Sequence, residues 1–131
     1  MTGEASGKGD GKTVLVVDDN RDLVRVIALN LELEGYRVIP AHDGAEALEA
    51  VAAAGPDCIL LDIMMPVMDG WEVLDRLRRD PETAGIPVII VTARTSDVDK
   101  IKGYSGGALE YVTKPFDPTA LLKAVEKVLR P

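Results

Sequence analysis

Cys58-Ile59-Leu60-Leu61-Asp62-Ile63-Met64-Met65-Pro66-Val67-Met68-Asp69-Gly70 is the stretch on which the reading of this chain turns. Its first four residues are apolar without a polar break, which suits a strand buried on both faces. The run ends on a carboxylate, and Pro66 and Gly70 punctuate the loop that follows. Other apolar runs end in the same way. Val14-Leu15-Val16-Val17 leads into Asp18 and Asp19, Val88-Ile89-Ile90-Val91 into Thr92, and Tyr111-Val112-Thr113 into Lys114. Four strand-like runs thus end in groups able to bind a divalent cation and handle a phosphoryl group.

Outward from that stretch, two periods alternate. Residues 13–17, 36–40, 57–61, 86–91 and 109–113 read as strands. Leu23, Val24, Ile27 and Leu31 trace one face of a helix that Gly35 ends. Asp43 caps a second helix carrying Ala47, Leu48, Val51 and Ala52, which stops before Gly55-Pro56. Gly70 precedes a third, with Val73, Leu74 and Leu77 inward and Asp75, Arg76, Arg78 and Arg79 outward. Ser96 or Asp97 caps a weak fourth helix with Val98, Ile101 and Tyr104, kept short by Gly103, Gly106 and Gly107. Pro118–Leu129 forms the fifth, with Leu121, Leu122, Val125, Val128 and Leu129 as its stripe. The apolar stripes are expected to be mostly core.

Strands alternating with helices imply a parallel sheet covered on both faces. The expected class is α/β, a flavodoxin-like doubly wound (βα)5 fold with strand order 2-1-3-4-5. Ligands of such sheets bind beyond the carboxyl ends of the strands, where the strand order reverses. The first and third strands are neighbours at that point. Asp18, Asp19 and Asp62 then meet there, with Thr92 and Lys114 beside them.

The chain has 131 residues, enough for one domain, placed at 13–131. Residues 1–12 are rich in Gly, Lys, Ser and Asp and read as a flexible tail. Gly11-Lys12-Thr13 resembles the end of a phosphate-binding loop, but the strand comes after it instead of before. The net charge of −7 argues against direct nucleic-acid binding by this domain. No apolar run approaches the ~20 residues of a membrane helix, so no membrane association is expected. The first residues lack the apolar centre of a secretory signal, and a cytoplasmic location is expected. Cys58, the single cysteine, reads as a buried thiol. His42 lies outside the acidic cluster and reads as a solvated loop residue, and Met64, Met65 and Met68 as a packed loop.

Three carboxylates in one pocket repel one another, and at least one should have a raised pKa. A divalent cation relieves this. Mg²⁺ suits hard oxygen ligands, here Asp19, Asp62 and a backbone carbonyl after Asp62, with Asp18 acting directly or through water. Lys114 adds a point charge for Asp62 or for a phosphate oxygen. The chemistry that fits is phosphoryl transfer to a carboxylate, giving an aspartyl phosphate. Two other classes compete. A haloacid-dehalogenase-like phosphatase needs a second Asp two residues after the nucleophile, and Met64 stands there. A flavodoxin-like nucleotide- or flavin-binding module needs a Ser/Thr/Gly-rich loop after the first strand, where Asp18-Asp19-Asn20 stands.

These motifs together resemble the receiver domains of two-component response regulators, the CheY-like family. The resemblance runs from Lys12 to Leu129 and rests on Asp18-Asp19, on the block from Asp62 to Gly70, on Thr92-Ala93 and on Tyr111-Val112-Thr113-Lys114-Pro115-Phe116. It implies that Asp62 is the phosphoacceptor, and that Asp18, Asp19, Asp62 and the Met64 carbonyl hold Mg²⁺. It implies that Thr92 hydrogen-bonds the phosphoryl group, that Lys114 senses it and that Tyr111 is the switch aromatic. It also implies a cis bond between Lys114 and Pro115. The expected protein is a signalling switch and not an enzyme, acting only on its own phosphorylation and dephosphorylation.

The implied partners are a histidine kinase or histidine phosphotransfer protein, and a downstream effector or output domain. The surface of the fourth helix, fifth strand and fifth helix would switch and could serve a homodimer. Met64 and Arg94 would shield the phosphate from water, so replacing Arg94 by a small residue should speed its loss. Leu109-Glu110 departs from the two acidic residues common in the family. The sequence ends at Pro131, and either a stand-alone receiver or a piece of a larger regulator is expected.

Overall fold

The computed structural model describes residues 9–130. Ten elements alternate: β1 (Thr13–Val17), α1 (Arg21–Leu33), β2 (Arg37–Ala41), α2 (Gly44–Ala54), β3 (Cys58–Leu61), α3 (Gly70–Arg79), β4 (Val88–Thr92), α4 (Asp97–Ser105), β5 (Glu110–Thr113) and α5 (Pro118–Leu129). The strands form one parallel sheet, as the alternation of periods predicts, in the order β2-β1-β3-β4-β5 expected of the flavodoxin-like class.

The period of two splits each apolar run between two cores. Leu15, Val17, Ile59, Leu61 and Ile90 face α2 and α3, where they meet Ala47, Val51, Val73, Leu74 and Leu77. Val14, Val16, Cys58, Leu60, Ile89 and Val91 face α1 and α5, against Val24, Ile27, Leu31, Leu121 and Val125. Each fully buried Val, Leu or Ile contributes about 1.5–3 kcal/mol. The unbroken runs therefore hold β1, β3 and β4 at the centre. Pro40 sits in β2, an edge strand, where a missing N–H is tolerated.

Every helix begins with a side-chain cap. Asn20, Asp43, Asp69, Ser96 and Asp117 accept from a first-turn N–H of α1, α2, α3, α4 and α5 in turn. Such a cap is typically worth ~1 kcal/mol. The caps follow the strand ends within a few residues and so hold the loops there in place. Between β3 and α3, Val67 adopts φ +67° and the Met68 N–H donates to the Pro66 carbonyl at 2.8 Å. This is a γ-turn, strained for a β-branched residue.

Two expectations about side chains are corrected. Arg78 does not face outward: its guanidinium donates to the carbonyls of Ala84 (2.7 Å), Ile86 (3.2 Å) and Gly107 (3.0 Å). On α4 the apolar residues are not core, with Val98 74%, Ile101 65% and Tyr104 50% exposed, and only Gly103 is buried. A helix can approach the sheet edge closely through a glycine while its larger residues remain in solvent. Gly9 and Gly11, within the expected tail, donate to the carbonyls of Glu34 and Gly35 at 2.7 and 3.0 Å. The earlier part of that tail lies outside the described residues. Among the described residues no helix is long and apolar enough to cross a membrane.

Candidate functional site

The strand order brings four loop starts together. Parallel pairing of β1 with β3 sets Val17 opposite Leu61, so Asp18 and Asp62 leave the sheet side by side. Pairing of β3 with β4 and of β4 with β5 then adds Thr92 and Lys114. Asp18 and Asp62 are 3% and 4% exposed, and Thr92 is fully covered. Asp19 stands at the exposed rim. One oxygen from each of Asp18, Asp19 and Asp62 lies within 4.8 Å of the others.

Lys114 ties the pocket together. Its Nζ donates to Asp18 Oδ2 at 2.5 Å and to Asp62 Oδ2 at 3.3 Å. Asp18 Oδ1 accepts from the Asn20 N–H at 2.9 Å, and Asp62 Oδ1 from the Met64 N–H at 3.1 Å. Each buried carboxylate thus has both oxygens engaged, as buried charge requires. The Lys114–Pro115 peptide bond is cis.

Burial pushes the Asp62 pKa above the ordinary carboxylate value, and the Asp18 charge adds to this; the Met64 N–H, Lys114 and the Thr92 hydroxyl oppose it. For Lys114, burial acts to lower the pKa. The hydrogen bond to Asp18 and the charges of Asp62 and Asp18 outweigh it, and the ammonium is held above its ordinary value. The pocket is therefore built around excess negative charge that one lysine only partly offsets. Three carboxylate oxygens at this spacing are hard donors and match the ligand preference of Mg²⁺.

Several residues stand next to the pocket. The Met64 side chain is half exposed, whereas Met65 is buried and Met68 packs near Gly44, so the loop is only partly packed. The Tyr111 hydroxyl donates to the Arg94 carbonyl at 2.8 Å, and its ring stands 6.5 Å from that of Tyr104. Arg94 lies 3.9 Å from Asp99. His42 is not a solvated loop residue: its ring is largely covered, and Nδ1 lies 3.1 Å from Glu46 Oε1.

Three contributors escape a reading of the sequence. The Asn20 N–H holds Asp18, although only the capping role of Asn20 shows in its residue type. Gly70 allows α3 to start against the loop after β3, because a Cβ there would strike the Asp62 carbonyl oxygen and Ile63 Cα. The pair Asp69-Gly70 was the available signal. The Arg94 carbonyl carries no signal at all, since any residue could supply it.

Comparison with known proteins is consistent in sequence and structure. The response regulator receiver domain family matches residues 14–126. The chain is 43% identical over 117 residues to the DNA-binding dual master transcriptional regulator RpaA of Synechocystis, covering 89% of this chain and 48% of that protein. It is 42% identical over 120 residues to the phosphate regulon transcriptional regulatory protein PhoB of Pseudomonas aeruginosa, covering 92% and 52%. The chain thus spans about half the length of these curated relatives. The structure of the Vibrio cholerae chemotaxis protein CheY4 superposes with a TM-score of 0.86 at 36% identity, covering 91% of this chain and 99% of that one.

Proposed function

Because this chain belongs to the response regulator receiver domain family, whose members are phosphorylation-dependent switches of two-component signalling, we propose that Asp62 is the residue it phosphorylates. The observation that carries this reading is the setting of Asp62: 4% exposed, at the end of β3, between Asp18, Lys114 and Thr92. A carboxylate oxygen of Asp62 attacks phosphorus in line, the new O–P bond forms, and the P–N bond of a phosphohistidine or the P–O bond of a small phosphodonor breaks. The carboxylate is already ionised, so no base is needed.

Receiver domains normally use Mg²⁺ at an acidic pocket, and Asp18, Asp19, Asp62 and the Met64 carbonyl are the residues that would hold it here. When bound, Mg²⁺ neutralises charge on the carboxylates and on the phosphoryl oxygens. Lys114 donates to an oxygen of the added phosphoryl group, and the Thr92 hydroxyl donates to another. These bonds exist only after phosphorylation, so they shift the population toward the conformation that makes them. The loop after β4 is drawn toward the site and Tyr111 moves with it, because its hydroxyl is bonded to Arg94. The surface of α4, β5 and α5 changes as a result, and it is the surface offered to an output partner or to a second copy. Arg94 and Met64 at the rim restrict water and lengthen the phosphate lifetime.

The chain catalyses no turnover of an external substrate in this reading. Its donor is a histidine kinase or a histidine phosphotransfer protein, and its output is a further segment or a separate effector in the cytoplasm. The test is intact mass after incubation with Mg²⁺ and acetyl phosphate, beside Asp62→Asn. A single phosphate on the wild type alone is expected. Phosphate on both proteins would move the acceptor elsewhere, and steady hydrolysis of added phosphate ester would favour the phosphatase.

A further inference from the structure

The two ends of α4 are held very differently. Residues 93–98, the loop after β4 and the first turn of α4, are exposed throughout. This end is tethered by the Tyr111 hydroxyl on the Arg94 carbonyl and by a long Arg94 N–H contact to Thr92 Oγ1 at 3.5 Å. The far end is fastened to α3 and the sheet. The N–H groups of Gly106, Gly107, Ala108 and Leu109 donate to the carbonyls of Lys102, Tyr104, Gly103 and Val88 at 2.9–3.0 Å. Ala108 is buried in the core.

Arg78 is what binds this corner to α3. Its guanidinium reaches the Gly107 carbonyl with one nitrogen and the Ala84 and Ile86 carbonyls with the other. The planar fork fixes the directions of these bonds, which a lysine cannot reproduce. All three acceptors are neutral main-chain groups, so the side chain serves as a strap between loops instead of an ion-pair partner. Gly107 is adapted to it twice: φ is +106°, and a Cβ there would strike Arg78 Nε. At Gly106 a Cβ would lie 2.9 Å from Leu74 Cδ2. Between the two ends, the only feature joining α4 to α3 among the described ring contacts is Lys102 over Trp71, at 4.5 Å from the ring centroid. That contact is weak and tolerates sliding.

We propose that Arg78 is the hinge pin of the switch: it holds the α4–β5 corner on α3, so that α4 turns about Gly106 and Gly107 instead of sliding along the sheet. The inference rests on the switch reading above and adds where the motion stops. A pull on Thr92 and Arg94 then becomes a rotation, with the largest displacement at Ser96 and Val98 and almost none at Ala108. Arg78 touches no reacting atom and is a positioning residue.

Site-resolved amide exchange by NMR tests this, with and without Mg²⁺ and acetyl phosphate, and with intact mass recording the phosphorylated fraction. In the wild type, phosphorylation should alter exchange at Asp99 and Lys100 and leave Ala108 and Leu109 unchanged. Equal changes at both ends would overturn the hinge. In unmodified Arg78→Met, exchange at Gly107, Ala108 and Leu109 should rise about tenfold relative to β1 and β3. Wild-type protection there would overturn the role of Arg78. Arg78→Lys, which keeps the charge and loses the fork, should show the same loss if Arg78→Met does not fold. An absence of phosphate from the wild type would count against Asp62 as acceptor. It is a distinct failure, because the comparison of unmodified proteins still decides the pin.

Discussion

Lys114 bonds Asp18 more closely than it bonds Asp62, at 2.5 Å against 3.3 Å. The partner it holds most tightly is therefore not the proposed acceptor. In the proposed reaction this leaves Asp62 with a weaker bond to give up to the phosphoryl group, and keeps the ammonium within reach of it. It also makes Lys114 the main offset to three clustered carboxylates.

Removing that offset should destabilise the fold. Lys114→Met loses two charge-assisted hydrogen bonds and leaves the carboxylates facing one another, at a cost of about 1.5–3 kcal/mol. Urea denaturation would measure it. Mg²⁺ should raise the midpoint of the variant by more than that of the wild type, because the cation takes over the same task. Equal increments would show that Lys114 does not offset the pocket charge.

Asp62→Asn should stabilise the metal-free protein at pH 7, because the neutral amide removes a buried charge that repels Asp18. The folded-state pKa of Asp62 is raised, chiefly by burial. Between its unfolded and folded values the native state binds more protons, so stability falls as pH rises through that window. The penalty is fully present above the folded value. The advantage of Asp62→Asn should thus shrink as the pH falls from 7 toward the ordinary carboxylate range. An advantage constant with pH would mean that the gain has another source.

Cys58 should be inert in the folded protein. Its thiol is fully covered in β3, and burial pushes its pKa up to about 12. Thiolate is the reactive species, so a disulfide reagent at pH 8 should label Cys58 only at the rate of unfolding. The thiol also sets a high-pH limit: the unfolded chain ionises first, and stability falls as pH rises from about 9 toward 12. Labelling at the rate of a free thiol would show that β3 opens locally.

Gly70→Ala should impair both fold and site. The added Cβ meets the Asp62 carbonyl oxygen and Ile63 Cα, which are main-chain atoms that cannot step aside cheaply. A loss of about 2–3 kcal/mol is expected, together with slower modification of Asp62 by acetyl phosphate. Gly85→Ala, where nothing lies within reach of a Cβ, is the control and should leave both unchanged. Equal effects at the two positions would remove the steric argument.

Much of this protein could be read from its chain because the decisive signals are local. Continuous apolar runs with helical periods between them specify alternating elements, and two-sided burial makes the sheet parallel. Asp18, Asp62, Thr92 and Lys114 stand directly after such runs, so their convergence follows once the strand order is set. Cys58 inside an apolar run needed no more than its neighbours to be placed in the core.

What only the tertiary structure decided is which of several chemically adequate partners each polar group takes. Lys114 is a reasonable mate for Asp18 or Asp62 in sequence, and the pocket geometry selects Asp18 for the closer bond. Arg78 carries the same charge as its neighbours Arg76 and Arg79, which pair with Glu72 and Asp75 on the helix surface. It turns inward because carbonyls of two separate loops arrive within reach of its guanidinium. The apolar residues of α4 share a helical period with true core residues, yet they stay in solvent because the helix meets the sheet through Gly103. Sequence spacing sets the period of an element. The face that is covered, and the partner that is taken, depend on segments far away in the chain.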